Sequence, residues 1–159
     1  MSAFTVILPH RRNPGNDAAL RTCLDCLYTN TVNDFTLISD AAFDQPLYER
    51  VNSMVRQATT EACVYLASDT FLAPGWDAPM LELFNADTFV TGVLVEPGAI
   101  GMHPDNVHRD FGRKPDTFRR AEFEAWTQSS EAVVPDNWGW YCPVMYPRDG
   151  YFAFGGLEL

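Results

Sequence analysis

The stretch Phe4-Thr-Val-Ile-Leu-Pro9 opens the chain with a short apolar run that is rich in β-branched residues. Such a run predicts a buried β-strand, which Pro9 closes. Similar runs follow at residues 35–38 and 62–67. Strand and helix patterns alternate, which predicts βαβ units and a mostly parallel α/β sheet. The helical patterns place apolar residues on one face at Leu20, Cys23, Leu24 and Leu27, and then at Leu47, Val51, Met54, Val55 and Ala58.

Turn-forming residues set the ends of these helices. Asn16 or Asp17 is predicted to cap the first helix, and Pro46 is predicted to lie in the first turn of the second. A long segment at 96–115 carries several Gly and Pro residues and is typical of a functional loop. The other predicted elements are helices at 76–84 and 118–126, strands at 88–95 and 140–146, and a helical turn that begins at Pro147.

Length and charge bound the class of protein. The 159 residues fit one domain, and 47% of them are hydrophobic, enough for a core. The 11 basic and 21 acidic residues give a net charge of −10, which argues against direct binding of nucleic acid or an anionic membrane. No apolar run reaches the roughly 20 residues of a membrane span, and no basic leader precedes the first run. We therefore expect one cytoplasmic domain over residues 1–159.

The four cysteines include one C-x-x-C motif, Cys23-Leu-Asp-Cys26. A zinc site would need a second such motif, and a redox site would need the motif to lie in a strand-to-helix turn. Cys23 lies instead on the apolar face of a predicted helix, and Cys63 lies in a predicted strand. We expect reduced thiols that pack in the core.

Polar residues follow the first three predicted strands. Ligands of open α/β sheets bind outside the carboxyl ends of the strands, so we expect these residues to form one rim. The segments are Pro9-His10-Arg11-Arg12-Asn13 at the end of the first strand, Ser39-Asp40 at the end of the second, and Ser68-Asp69-Thr70 at the end of the third.

Two carboxylates and two guanidiniums on one rim suit a diphosphate that binds with a divalent cation. Mn²⁺ or Mg²⁺ would take carboxylate and phosphate oxygens, and arginine would donate to the remaining phosphate oxygens. Asp40 would accept hydrogen bonds from a nucleobase or ribose. One alternative is structural, with Arg11 and Arg12 pairing with Asp40 and Asp69 as a surface network. A receiver-type phosphate site ranks lower. Such a site needs adjacent acidic residues after the first strand, where this chain has basic residues.

Three blocks of the sequence resemble family 2 glycosyltransferases of the GT-A fold. The first is the apolar strand ending at Pro9, with Asp40 ending the next strand. The second, residues 66–76, runs through Ser-Asp-Thr to Pro-Gly-Trp, and the third, residues 146–156, runs from an Arg-containing turn to Gly-Gly. The blocks occur in the family's order and extend over nearly the whole chain.

The resemblance implies a GT-A sheet and transfer of a sugar from a nucleotide-sugar donor to an acceptor hydroxyl. It implies that Asp69 binds Mn²⁺ or Mg²⁺ and that Asp40 contacts the base. It further implies that the pocket for the nucleotide is completed by Pro9, Arg11, Arg12 and Ser68.

Two departures from the family's pattern stand out. Between Asp40 and Ala62 there is room for one helix but hardly for the extra strand usual in the family. Family members also place a catalytic base downstream of Gly-Gly, where this chain has Leu-Glu-Leu. Either Glu158 is the base, or a missing C-terminal segment or a partner chain supplies it, or the domain is a degenerate binding module.

Three further residues are weaker candidates. His103 and His108 lie in the long segment, but their spacing matches neither a helix face nor a zinc finger, which favours exposed loop histidines. Trp138 could stack on an acceptor sugar or belong to the core.

Overall fold

The computed structural model describes residues 1–11, 14–41, 45–97, 107–129 and 142–157. Its strands are β1 (Phe4–Pro9), β2 (Phe35–Asp40), β3 (Ala62–Tyr65), β4 (Val90–Thr91), β5 (Val95–Glu96), β6 (Val107–His108) and β7 (Val144–Pro147). In this part of the chain, five strands form one sheet in the order β2-β1-β3-β7-β4. β1 is parallel to β2 and β3, whereas β7 is antiparallel to β3 and β4. The prediction of a mostly parallel α/β sheet is confirmed.

The described ranges also contain five α-helices and a short 3₁₀ helix at Pro115–Thr117. Within these ranges, no helix combines the length and the apolar character needed to cross a membrane. The α-helices are α1 (Pro14–Asn30), α2 (Leu47–Gln57), α3 (Asp77–Leu83), α4 (Arg120–Thr127) and α5 (Arg148–Ala153).

Helix α1 begins at Pro14, so the prediction that Asn16 or Asp17 caps it is wrong. Proline suits the first helical position, because its φ is already helical and its missing N–H would have no helical acceptor there. Both predicted caps instead tie α1 to the end of β1. Asn16 donates from Nδ2 to the Arg11 carbonyl oxygen at 2.9 Å, and the carboxylate of Asp17 contacts His10.

The predicted strand at 88–95 is also wrong as a single element. β4 ends at Thr91, and the N–H of Gly92 then donates to the carbonyl oxygen of Pro143 at 2.8 Å. A Cβ on Gly92 would lie 2.7 Å from Cδ of Pro143, so the two segments approach too closely for a side chain. The chain leaves the sheet here, and β5 pairs with β6 in a separate parallel ribbon.

Strand β1 lies at the centre of the core, because helices cover both of its faces. Phe4 and Leu8 belong to the cluster that packs against α1, which includes the fully buried Cys23 as predicted. Ile7 belongs to the opposite cluster, which contains Val51 of α2 and residues of α5. Burial on both faces accounts for the continuous apolar run of β1.

Asp77 joins the start of α3 to the end of α1. It is fully buried, and its carboxylate accepts hydrogen bonds from the N–H groups of Val32 (3.0 Å) and Asn33 (2.9 Å) and from Asn33 Nδ2 (2.8 Å). The preceding Trp76 is buried, and its Nε1–H donates to the Thr31 hydroxyl oxygen at 3.0 Å. A buried carboxylate is tolerated when hydrogen bonds replace water in this way.

Asp77→Ala should lower the free energy of unfolding by about 3 kcal/mol, because buried N–H groups lose a charged acceptor. Glu82→Ala, on the exposed face of the same helix, is the control and should change it by less than about 0.5 kcal/mol. Urea denaturation of both variants measures the difference. Equal effects would show that the Asp77 contacts do not stabilise the fold.

The four cysteines are free thiols, and three of them, Cys23, Cys26 and Cys63, are buried. Burial raises the pKa of Cys63, in the middle of the sheet, from its ordinary 9.0 to about 12. The pKa of Cys23 rises to about 12 as well, again chiefly through burial. The folded protein therefore holds these protons at pH values where the unfolded chain loses them.

This difference predicts a loss of stability at alkaline pH. Stability is complete below the unfolded pKa of 9.0 and declines as pH rises toward about 12. Between about pH 8 and 10, the Cys63 thiol should account for about 1 kcal/mol of the decline. Urea denaturation at both pH values measures the free energy of unfolding. Its decline between the two pH values should be about 1 kcal/mol smaller in Cys63→Ala than in the wild type. An identical decline in the two proteins would rule out the shifted thiol.

Candidate functional site

The polar ends of β2, β1 and β3 lie side by side at one edge of the sheet. The His10 N–H donates to the Asp40 carbonyl oxygen at 2.8 Å, which extends the pairing of β1 with β2. On the other side of β1, the Leu66 N–H donates to the Ile7 carbonyl oxygen at 3.0 Å, just before the turn that contains Asp69. Since strands are spaced about 4.8 Å apart, the ends of β2 and β3 are about 10 Å apart.

A cleft of about 480 Å³ opens at this edge. Four of the residues predicted for the nucleotide pocket line it: Pro9, Arg11, Ser68 and Asp69. Pro9 is buried, Ser68 is half-buried, and Arg11 and Asp69 are exposed. The structure therefore brings a cation, a hydroxyl and a carboxylate from two adjacent strand ends to one opening.

The cleft also has an apolar wall, which the sequence reasoning did not anticipate. Leu47, the first residue of α2, and Tyr65, the last of β3, contribute to it. Burial, with smaller contributions from Cys142 and Asp69, raises the pKa of Tyr65 to about 12. The Tyr65 hydroxyl is therefore neutral near pH 7, so the residue offers an apolar ring face and a hydrogen-bonding group.

Asp40 is held by an arginine that the sequence reasoning missed. Arg50 of α2 donates from Nε to Asp40 Oδ2 at 3.1 Å, and from Nη2 to the His10 carbonyl oxygen at 2.8 Å and to the Asp40 carbonyl oxygen. The Arg50 side chain is only 6% exposed, so the paired carboxylate and the two carbonyls replace its water shell. The carboxylate of Asp40 thus pairs with Arg50, in addition to any role it has toward a ligand.

One sequence signal could have found Arg50. It lies three residues after Leu47 and four before Met54, on the apolar face of α2. A charged residue at such a position must pair when the face is buried. The nearest strand end carries Asp40, which is the partner that the structure shows.

His10 is the second buried polar residue of this edge. It is 4% exposed, and its Nε2 lies 3.0 Å from Asp17 Oδ1, so Nε2–H donates to the carboxylate. Among the described residues, Nδ1 has no hydrogen-bond partner. His10 lines the 480 Å³ cleft and also a neighbouring cavity of about 500 Å³, which Arg21 and Ser39 help to line. The His10–Asp17 contact fixes the start of α1 against the end of β1.

A divalent cation would have one carboxylate, that of Asp69, in the described part of the cleft. No group of three His, Cys, Asp or Glu side chains in the described residues is arranged to hold a metal ion. Mg²⁺-type cations are commonly bound by one or two carboxylates together with substrate phosphates and water. The donor set therefore fits a cation that arrives with phosphate ligands.

Several candidate residues lie outside the described part of the chain. These are Arg12, His103, Trp138 and Glu158, so their predicted roles stay predictions. His108 is exposed, as predicted, but it lies in strand β6 and not in a loop.

Comparison with known proteins assigns no family to the chain. No protein-family model matches it, and no curated protein is significantly similar to it.

Proposed function

We propose that this chain is a GT-A glycosyltransferase domain that moves a sugar from a nucleoside diphosphate sugar to an acceptor hydroxyl, assisted by Mn²⁺ or Mg²⁺. The observation that carries the proposal is the meeting of Arg11, Ser68 and Asp69 in one cleft beside parallel strand ends. This edge is where open α/β sheets bind their ligands. The resemblance to family 2 glycosyltransferases supports the same function.

The dimensions of the edge suit an elongated ligand with two chemically different halves. Asp40 lies at the end of β2, about 10 Å across β1 from the turn that follows β3, and Arg50 lies between the ends of β1 and β2. An extended nucleoside diphosphate has a comparable length. Its nucleoside would lie toward β2 and its diphosphate toward Asp69.

The diphosphate half of the ligand would lie beside the positive charges of Arg11 and of a cation on Asp69. Arg11 is an exposed guanidinium in the cleft of a chain whose net charge is −10, so it supplies local positive charge. Guanidinium groups donate paired hydrogen bonds to phosphate oxygens. A cation at Asp69 would share those oxygens, which explains an exposed carboxylate beside a phosphate site.

In sugar transfer, the residues of this chain would position the donor and stabilise the leaving group. Asp40 would accept hydrogen bonds from the nucleoside, while Arg11 and the Ser68 hydroxyl would donate to phosphate oxygens as negative charge develops. A bound cation supplies further positive charge to the departing diphosphate. Glu158 is the proposed acceptor of the proton from the attacking hydroxyl.

The region between β2 and β3 agrees with a shortened member of the family. Residues 45–61 contain α2 and no strand, which leaves β2 at the edge of the sheet. The extra strand that the family usually inserts is therefore not found in this described stretch.

A second candidate function is nucleotide binding without transfer. Asp69 is the single carboxylate that lines the cleft within the described residues, and the proposal assigns it to the cation. Transfer needs another base, from Glu158, from a further segment or from a partner chain. Repeated release of nucleoside diphosphate from UDP-sugars or GDP-sugars with Mn²⁺ would favour transfer, whereas binding without release would favour a binding or assembly module.

A nucleoside diphosphate and Mn²⁺ together should raise the melting temperature, because they bind the folded state. A ligand at about a hundredfold excess over its dissociation constant adds about 2.7 kcal/mol. For a domain of this size, the rise is roughly 5–10 °C. Scanning fluorimetry with UDP, GDP, CDP and ADP, each with Mn²⁺ or EDTA, measures it. The absence of any metal-dependent shift would contradict the proposal.

The variant Asp69→Asn tests the cation ligand in the same assay. It should abolish the metal-dependent part of the shift, because the amide has no charge with which to hold Mn²⁺. Asp116→Asn, an exposed change in the 3₁₀ helix, is the control and should keep the shift. A full metal-dependent shift in Asp69→Asn would remove Asp69 from the cation site.

A further inference from the structure

Arg50 has a free donor at the nucleoside end of the cleft. Its Nε and Nη2 are engaged by Asp40 and by the carbonyl oxygens of Asp40 and His10. Its third nitrogen, Nη1, has no hydrogen-bond acceptor among the residues that the structure describes, and Arg50 lines the cleft. A guanidinium carries five N–H donors in a rigid fork, so three engaged contacts hold the whole group in one orientation.

The charge around Arg50 selects the kind of group that Nη1 can bind. The carboxylate of Asp40 already balances the guanidinium, so the pair is neutral overall. A diphosphate would be drawn to Arg11 and to the cation beyond β1, because phosphate binding follows uncompensated positive charge. The neutral Asp40–Arg50 pair suits an uncharged polar group such as a base carbonyl or a ribose hydroxyl.

We infer that Arg50 is a ligand-binding residue, whose Nη1 donates a hydrogen bond to an oxygen of the nucleoside half of the donor. The inference rests on the proposed function. It gives Arg50 two roles: its Nε and Nη2 fix the ends of β1 and β2, and its Nη1 recognises the ligand. Arg50 lines the open cleft, and its Nη1 is not one of the described atoms that are sealed from solvent without a partner, so a ligand oxygen can take the place of water there.

The test compares ligands with and without a nucleoside, using Arg50→Lys. Lysine keeps the positive charge beside Asp40 but lacks the planar set of N–H donors of arginine. It therefore cannot donate to the carbonyl oxygens of His10 and Asp40 and to the ligand at the same time. Titration calorimetry with Mn²⁺ should show binding of UDP or GDP weakened about tenfold or more. Binding of inorganic pyrophosphate with Mn²⁺ should stay unchanged. Arg56→Lys is the control, because Arg56 of the same helix stacks on Phe152 instead.

The other outcomes separate the two proposals. If the wild type binds neither the nucleotides nor pyrophosphate, the proposed function fails and this inference falls with it. A second outcome is that the wild type binds nucleotides while Arg50→Lys weakens the binding of nucleotide and of pyrophosphate equally, or weakens neither. That result would overturn the role of Arg50 and leave the proposed function standing.

A measurement on the wild type covers the case in which Arg50→Lys does not fold. The Nε–H of Arg50 is buried, so its NMR signal is protected from exchange in protein labelled at arginine. Addition of UDP or GDP with Mg²⁺ should shift this signal, and addition of pyrophosphate with Mg²⁺ should not. A signal that no bound nucleotide shifts would overturn the assignment.

Discussion

Parallel pairing of β2, β1 and β3 is the constraint on which the candidate site depends. Parallel strands end at the same edge, so polar segments that are far apart in sequence meet there. Helices cover both faces of β1, so the strand cannot shift without exposing the core. Arg50 then joins the ends of β1 and β2 by donating to the carbonyl oxygens of His10 and Asp40. Backbone pairing and one buried guanidinium together hold the rim in place.

The sheet could be predicted because short apolar runs mark its strands, both in the buried β1 and β3 and in the less buried edge strand β2. The apolar runs that begin at Phe4, Phe35 and Ala62 match strands β1, β2 and β3 to within two residues at each end. The location of the cleft could also be predicted, because ligands of open α/β sheets bind at the carboxyl ends of the strands whatever the sequence of the loops. This rule selected Arg11 and Asp69, which the structure brings to the same cleft.

Contacts between distant segments could not be predicted in the same way. The Arg50–Asp40 pair depends on how α2 packs, and the end of β4 depends on the approach of Gly92 to Pro143. Asp77 shows the same limit, because its partners follow α1, far earlier in the chain. Local patterns give the elements, whereas the buried polar pairs appear only when the elements are assembled.

The central claim is that the strand-end cleft binds a nucleoside diphosphate with a divalent cation on Asp69. A crystal structure of the chain with Mn²⁺ and the nucleotide that stabilises it most tests this directly, because manganese can be located by anomalous scattering. The account predicts a manganese peak in contact with the Asp69 carboxylate and the diphosphate, with the nucleoside beside Asp40. A nucleotide bound away from this cleft, or a manganese ion that does not touch Asp69, would contradict it.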